Sequence, residues 1–187
     1  MNQKKPHICP VERSGSLDNK LRKLFQNPQK ILKPYIHKGM TVLEVGCGPG
    51  FFTLDMANMV GESGKIIAAD LQEGMLEKVK SKITGTRFEH RITLHKCDET
   101  TLGISERIDF ALLFYMVHEV PDKQKLFSQL ASILKPNGQI LVAEPPFHVS
   151  AEKFQDMLQL AKNQGLINAQ GPKIFFCKTA ILKKSQH

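Results

Sequence analysis

The stretch that most constrains this chain is Thr41-Val42-Leu43-Glu44-Val45-Gly46-Cys47-Gly48-Pro49-Gly50. It begins as an apolar, β-branched run of the kind buried on both faces of a parallel sheet. It ends in glycines at every second position, and Phe51-Phe52-Thr53-Leu54 then opens a helical pattern. A strand, a glycine turn and a helix let backbone approach a ligand closely, because no Cβ intervenes. A dinucleotide fingerprint would read G-x-G-x-x-G, but Phe51 stands where its third glycine belongs. The acid Glu44, two residues before the first glycine, suits a cationic ligand better than a pyrophosphate.

After this stretch, strand and helix patterns alternate. Apolar strands are expected over 65–70, ending in Asp70, and over 92–97, followed by Asp98. A nearly all-apolar run over 108–115 reads as the central fourth strand, 139–143 as the fifth, and 175–182 as the strand that closes the sheet. Between them, Leu71, Met75, Leu76 and Val79 mark one helix, and Leu126, Phe127, Leu130, Ile133 and Leu134 another, stopped by Lys135-Pro136-Asn137-Gly138. Phe154, Met157, Leu158 and Ala161 mark a further helix that ends at Gly165. Regular βα alternation predicts a doubly wound, mostly parallel sheet with helices on both faces, an α/β fold.

The segment before the sheet has its own character. Residues 1–40 hold nine Lys or Arg against two acids, a balance of +7, whereas the whole chain carries +8. The basic charge therefore belongs to the leader, and the body is nearly neutral. Ser16 reads as an N-cap, with Leu17, Leu21, Leu24 and Phe25 at helical spacing, and Asn27-Pro28 reads as a second cap. Two short helices are expected, forming an N-terminal helical extension over 1–38 ahead of a domain over 39–187. At 187 residues there is room for one sizeable core. No apolar run reaches the length of a membrane span. Cys9, Cys47, Cys97 and Cys177 form no C-x-x-C pair, which fits a reducing cytoplasm, with Cys47 a small filler and Cys97 and Cys177 buried strand residues.

The acid, the G-x-G-x-G spacing and the flanking strand and helix together resemble the first motif of the class I S-adenosylmethionine-dependent methyltransferases, over roughly residues 41–184. The general likeness is to the small-molecule, methyltransferase type 11 (UbiE-like) branch that includes quinone-biosynthesis enzymes. The resemblance implies a Rossmann-like, seven-stranded sheet with an antiparallel last strand, and methyl transfer (EC 2.1.1) with S-adenosylmethionine consumed and S-adenosylhomocysteine released. It places Gly46, Cys47, Gly48 and Gly50 against the amino-acid half of the cofactor and Glu44 near its ammonium group. Asp70, twenty residues past Gly50, would take the ribose hydroxyls, Leu71 and Met75 the adenine ring, and Asp98 the adenine amino group. Taken singly, Asp70 or Asp98 reads as a helix N-cap; the order and spacing make the pair a cofactor signature. Phe114, Tyr115 and Met116 would border the sulfonium and the acceptor. The leading helices would close over the cofactor, with Asp18, Asn19, Arg22 and Tyr35 facing the pocket.

Methyl transfer is an in-line displacement that chiefly needs alignment in a dry pocket, and a base only where the nucleophile must lose a proton. The candidate catalytic residues are His118 and Tyr115, although His118-Glu119-Val120-Pro121-Asp122 also matches a family segment that contacts the cofactor or starts a helix. Glu144 and His148 follow the fifth strand towards the same mouth, but with His118 they form no known metal-ligand signature, and no metal is expected. An N/D-P-P-Y/F segment, the mark of amino-group methylases of nucleic acids and glutamine, is missing. The expected partner is a small-molecule methyl acceptor, in a monomer or homodimer. Methylation of RNA or protein through the basic leader is one alternative, and a non-catalytic S-adenosylmethionine-binding subunit is another.

Overall fold

The computed structural model describes residues 20–185. Cys9, Ser16, Leu17, Asp18 and Asn19 lie outside them. Two short helices lead in, α1 (Lys20–Phe25) and α2 (Pro28–Leu32). Asn27 caps α2 as its sequence suggests, its side-chain oxygen accepting the Lys30 N–H, with Pro28 in the first turn. The sheet then alternates with helices: β1 (Thr41–Val45), α3 (Thr53–Val60), β2 (Lys65–Asp70), α4 (Glu73–Ile83), β3 (Ile92–Lys96) and β4 (Ile108–Phe114). A 3-10 turn at Val117–Glu119 leads to α5 (Lys123–Ile133), β5 (Leu134–Glu144), α6 (Ala151–Lys162), β6 (Leu166–Gln170) and β7 (Lys178–Lys184). The strand order is β3-β2-β1-β4-β5-β7-β6, with β7 antiparallel to both its neighbours and the other pairings parallel.

Period-2 alternation sorts the strand side chains onto two cores. Leu43 and Val45 of β1 pack with Leu126, Phe127 and Leu130 of α5 and Phe154 and Leu158 of α6. Val42 of β1 packs with Met56 and Val60 of α3, Leu76 and Val79 of α4, and Leu32 of α2. Ile108 and Phe110, two residues apart, nevertheless face opposite cores. The β4–β5 register shifts between them, and such a bulge reverses the facing of a strand. Asp109, at that bulge, accepts the Thr41 N–H and the Lys135 ammonium, both at 2.8 Å, and so ties β1, β4 and the start of β5 together.

Three local expectations need correction. Lys135-Pro136-Asn137-Gly138 does not end before β5; it is looped out within it, between Leu134, which pairs Ile108, and Gln139, which pairs Phe110. The closing strand begins at Lys178 rather than residue 175, which leaves Cys177, like Cys97 after β3, half-buried outside a strand. The edge strand β6 has no counterpart in the hydrophobic pattern, because only Leu166 of its five residues is buried. Backbone pairing holds an edge strand in place, and sequence periodicity does not report that pairing.

The central strand β4 contributes Ile108, Phe110, Leu112 and Leu113 to the largest fully buried side chains. Phe110 is 1% exposed and stacks on Tyr35 at 5.9 Å between ring centroids. Phe110→Ala is expected to destabilise the fold by about 3–5 kcal/mol, read as a lower urea midpoint with an unchanged slope.

Candidate functional site

The chain reverses direction across the sheet between β1 and β4, and ligands of open α/β sheets bind outside the strand ends at such a point. A cavity of about 540 Å³ opens there. Its walls include Gly46 and Gly48, Asp70 to Gln72, Met75, Asp98, Phe114 to Met116, His118 and, from α1, Arg22. Most of the residues singled out in the sequence thus converge on one space.

The glycine turn is fastened to β2. Gly46 and Cys47 donate their N–H groups to the Ala69 carbonyl at 2.8 and 3.0 Å, and Gly50 donates to the Cys47 carbonyl at 3.1 Å to close the turn. Gly48 donates to Asp70 Oδ2 at 2.8 Å, and Gln72 donates to Asp70 Oδ1 at 2.9 Å. Asp70 is therefore not the cap of α4; it joins the glycine turn to the end of β2. Burial raises its carboxyl above the ordinary range, against the pull of those N–H groups.

Two glycines differ in what they prevent. Gly46 has φ +69°, and a Cβ there would meet Met116 Cβ at 3.0 Å, so glycine lets the chain after β4 close over the turn. Gly48 has φ +53°, and a Cβ would meet nothing within 4 Å. Its vacant side faces the cavity, the cradle a ligand backbone contact requires. Met116 reaches its position because Tyr115 adopts a left-handed φ of 60°, rare for a residue with a bulky side chain.

Glu44, Cys47 and Gly50 lie behind the cavity wall rather than on it. Glu44 is 3% exposed and accepts the Thr53 hydroxyl at 2.5 Å. Burial is the main force on its carboxyl, pushing it up to about 8, with the Thr53 bond and the Arg22 charge opposing. Burial likewise pushes the Cys47 thiol up, as fits a filler rather than a nucleophile. Asp98 is exposed, and its Oδ1 accepts the Thr100 N–H, the Thr100 hydroxyl and the Thr101 N–H, which hold its carboxyl below the usual range.

Of the leading-helix candidates, Arg22 lines the cavity, its guanidinium 4.2 Å above the Phe51 ring. Tyr35 instead packs against Phe110 in the core below. Gln26, which the sequence did not single out, is 6% exposed and donates to the Tyr115 hydroxyl at 2.6 Å. That hydroxyl in turn donates to the Phe176 carbonyl at 2.9 Å, and burial holds it well above the ordinary phenol range. Tyr115 thereby joins the bend after α1 to the loop before β7.

His118, on the 3-10 turn, places Nδ1 at 2.5 Å from Glu144 Oε2. Glu144, the last residue of β5, is fully buried, and its other oxygen accepts the Val117 N–H at 2.9 Å. His148 lines the cavity with its ring 5.2 Å from that of His118. Among the described residues no group of three or more His, Cys, Asp or Glu side chains is arranged to hold a metal ion.

Glu44 makes folding depend on pH. Its carboxyl keeps a proton in the folded chain that the unfolded chain releases from about pH 4.5, so stability falls as pH rises through the window up to about 8. Glu44→Gln keeps an acceptor for Thr53 and removes the ionisation. Scanning calorimetry should find its Tm close to wild type near about pH 5 and several degrees higher above about pH 8.

The description "Methyltransferase domain" belongs to the family profile that matches residues 36–171. The ubiquinone/menaquinone biosynthesis C-methyltransferase of Francisella tularensis is 32% identical over 117 residues, 62% of this chain and 47% of that protein. A demethylmenaquinone methyltransferase of Lactobacillus johnsonii is 28% identical over 142 residues, 74% of this chain and 56% of that protein. The chain spans about half the length of the curated relatives it matches. A SAM-dependent methyltransferase structure from Aquifex aeolicus superposes with a TM-score of 0.82 at 24% identity, covering 94% of this chain and 98% of that one. The magnesium protoporphyrin IX methyltransferase of Synechocystis, solved with bound SAM, superposes at 0.65 with 14% identity, over 94% of this chain and 79% of that one. With the profile covering well over half of its length, and with the fold and the cavity built as described, this chain belongs to the methyltransferase-domain family, in the class I S-adenosylmethionine-dependent fold.

Proposed function

We propose that the chain transfers a methyl group from S-adenosylmethionine to a small-molecule acceptor in the cavity at the β1/β4 switch point. One observation carries this reading: the open side of Gly48, the Asp70 carboxylate and the Phe114–Met116 strand end face one space of about 540 Å³. That volume lies within the range of small-molecule sites. The cofactor supplies a methyl group on a positively charged sulfur, and S-adenosylhomocysteine is the product.

The chain's own residues divide the work. Gly46 and Gly48 offer backbone to the amino-acid half, and Cys47 and Gly50 complete the turn that presents them. Glu44 sits behind that turn, where a nearby ammonium would favour its ionised form. Asp70 has lone pairs left beyond the Gly48 and Gln72 N–H groups to accept ribose hydroxyls. Leu71 and Met75 give the adenine an apolar wall, and Asp98 retains Oδ2 for the adenine amino group. Phe114 and Met116 border the reacting methyl, and His118 and Tyr115 stand on the acceptor side.

The leader serves as a cover over the domain 39–187, its described residues pinned through Gln26 to Tyr115 and through the Phe25–Phe175 stack at 5.1 Å. Among the described residues no helix is long and apolar enough to cross a membrane. The reading places a monomer or homodimer in a reducing cytoplasm.

Calorimetric titration of S-adenosylmethionine and S-adenosylhomocysteine tests the proposal. Wild type should bind in the micromolar range. Asp70→Asn should lose on the order of tenfold or more, as charge-assisted hydrogen bonds go. Because Asp70 also holds the glycine turn, Gly48→Ala is the companion variant. Its Cβ enters open space in the protein at a backbone cost of about 1–2 kcal/mol, yet it should abolish binding. A folded wild type that binds neither ligand would overturn the reading.

A further inference from the structure

Glu144 has no part in the cofactor cradle, yet it is fully buried and both of its oxygens are engaged. Among the described residues its ion-pair partner is His118, and a buried carboxylate is retained only where its charge is answered. Val117 donates to Oε1, which fixes the carboxylate plane; Oε2 takes His118 Nδ1. A carboxylate only accepts, so the proton of the neutral imidazole sits on Nδ1 and the lone pair on Nε2. The ring is 20% exposed and lines the cavity. Glu144 ends β5 and His118 lies just past β4, so two adjacent strands of the core hold the pair rigidly.

We propose that His118 and Glu144 form a proton-accepting pair, with His118 Nε2 as the base and Glu144 as its positioning residue. The acceptor is then a molecule that carries an ionisable proton on the atom to be methylated, a hydroxyl or an acidic carbon, and not a thioether or tertiary amine. The inference rests on the methyl-transfer reading of this cavity. The acceptor atom uses its electron pair to bond the methyl carbon as the carbon–sulfur bond breaks, with that pair going to sulfur. The acceptor's proton passes to His118 Nε2. One positive charge leaves the sulfur and one appears on the imidazole, where the buried Glu144 carboxylate answers it.

This charge balance has a consequence that needs no acceptor. A sulfonium and an imidazolium in one cavity repel, whereas the thioether of S-adenosylhomocysteine is neutral. Protonation of His118 should therefore favour S-adenosylhomocysteine over S-adenosylmethionine. The other charged or titratable groups around the cavity that His118 lines include Glu119 on its own turn, His148 after β5, Asp122 and Lys123 at the start of α5, Arg22 of α1, and Asp70, Asp98 and Glu99 at the ends of β2 and β3. Glu44 drops out of the comparison, since both ligands carry the same ammonium group.

The experiment is the ratio of the two affinities, measured by calorimetry near about pH 5.5 and near about pH 8, across the range where histidine changes charge. In wild type the ratio should move towards S-adenosylhomocysteine by about tenfold at the lower pH. His118→Gln and Glu144→Gln should each flatten it to within about twofold, while both ligands still bind at the higher pH; His148→Gln should leave it unchanged. The amide introduced by Glu144→Gln retains an acceptor for the Val117 N–H, and if that variant fails to fold, wild type against His118→Gln decides. A flat ratio in wild type, or a slope that survives His118→Gln, overturns the pair while the cofactor reading stands. Failure of both ligands to bind overturns the two together.

Discussion

The Asp70 carboxylate joins the two halves of the site. With one oxygen it takes the N–H of Gly48 and with the other that of Gln72, so the turn after β1 and the start of the segment after β2 share one anchor. The Ala69 carbonyl adds two more backbone bonds from Gly46 and Cys47. A glycine turn alone would sample many conformations, because glycine loses more freedom on folding than any other residue. Here three hydrogen bonds to the end of β2, donated by Gly46, Cys47 and Gly48, hold it in one conformation, and the cavity exists because that turn is held open.

The carboxyl edge of the sheet gathers acids that a fold would ordinarily keep in water. Among the described residues Glu44, Asp70 and Glu144 are three of the five buried polar or charged ones, and each lies at or beside the last residue of a different strand. None is left without partners: Thr53 serves Glu44, backbone N–H groups serve Asp70, and Val117 and His118 serve Glu144. Among the described residues no buried side-chain oxygen or nitrogen lacks a hydrogen-bond partner. Of the three acids, Asp70 lines the cavity and keeps acceptor capacity beyond its two N–H partners, whereas Glu44 and Glu144 are satisfied within the protein.

The legible part of the fold was the part governed by local rules. The β1 turn, the acids at the ends of β2 and β3, and the Asn27-Pro28 cap follow from period, propensity and capping chemistry, and the structure places them as expected. The edge strand β6 was not legible, because a mostly exposed strand has no hydrophobic alternation to read. The family resemblance implies that Tyr35 faces the pocket, but it stacks on Phe110, a partner 75 positions away that no local pattern announces. Gln26 was missed for a similar reason. A glutamine in the bend between two short helices looks like surface until it meets a tyrosine hydroxyl just past β4.

Local chemistry along the chain was enough to set the class of the fold, the location of the glycine turn and the order in which the candidate site residues arrive at one sheet edge. Those follow from interactions within a few residues, where the backbone leaves little choice. Which side chains meet was settled only in three dimensions. Folding set Glu144 against His118 across 26 positions and Gln26 against Tyr115 across 89, and it placed Glu44 behind the cavity rather than on its wall. Strand register and the crossing of the chain between β1 and β4 create those encounters. Their strength depends on burial, a property of the assembled sheet that no single stretch of sequence carries.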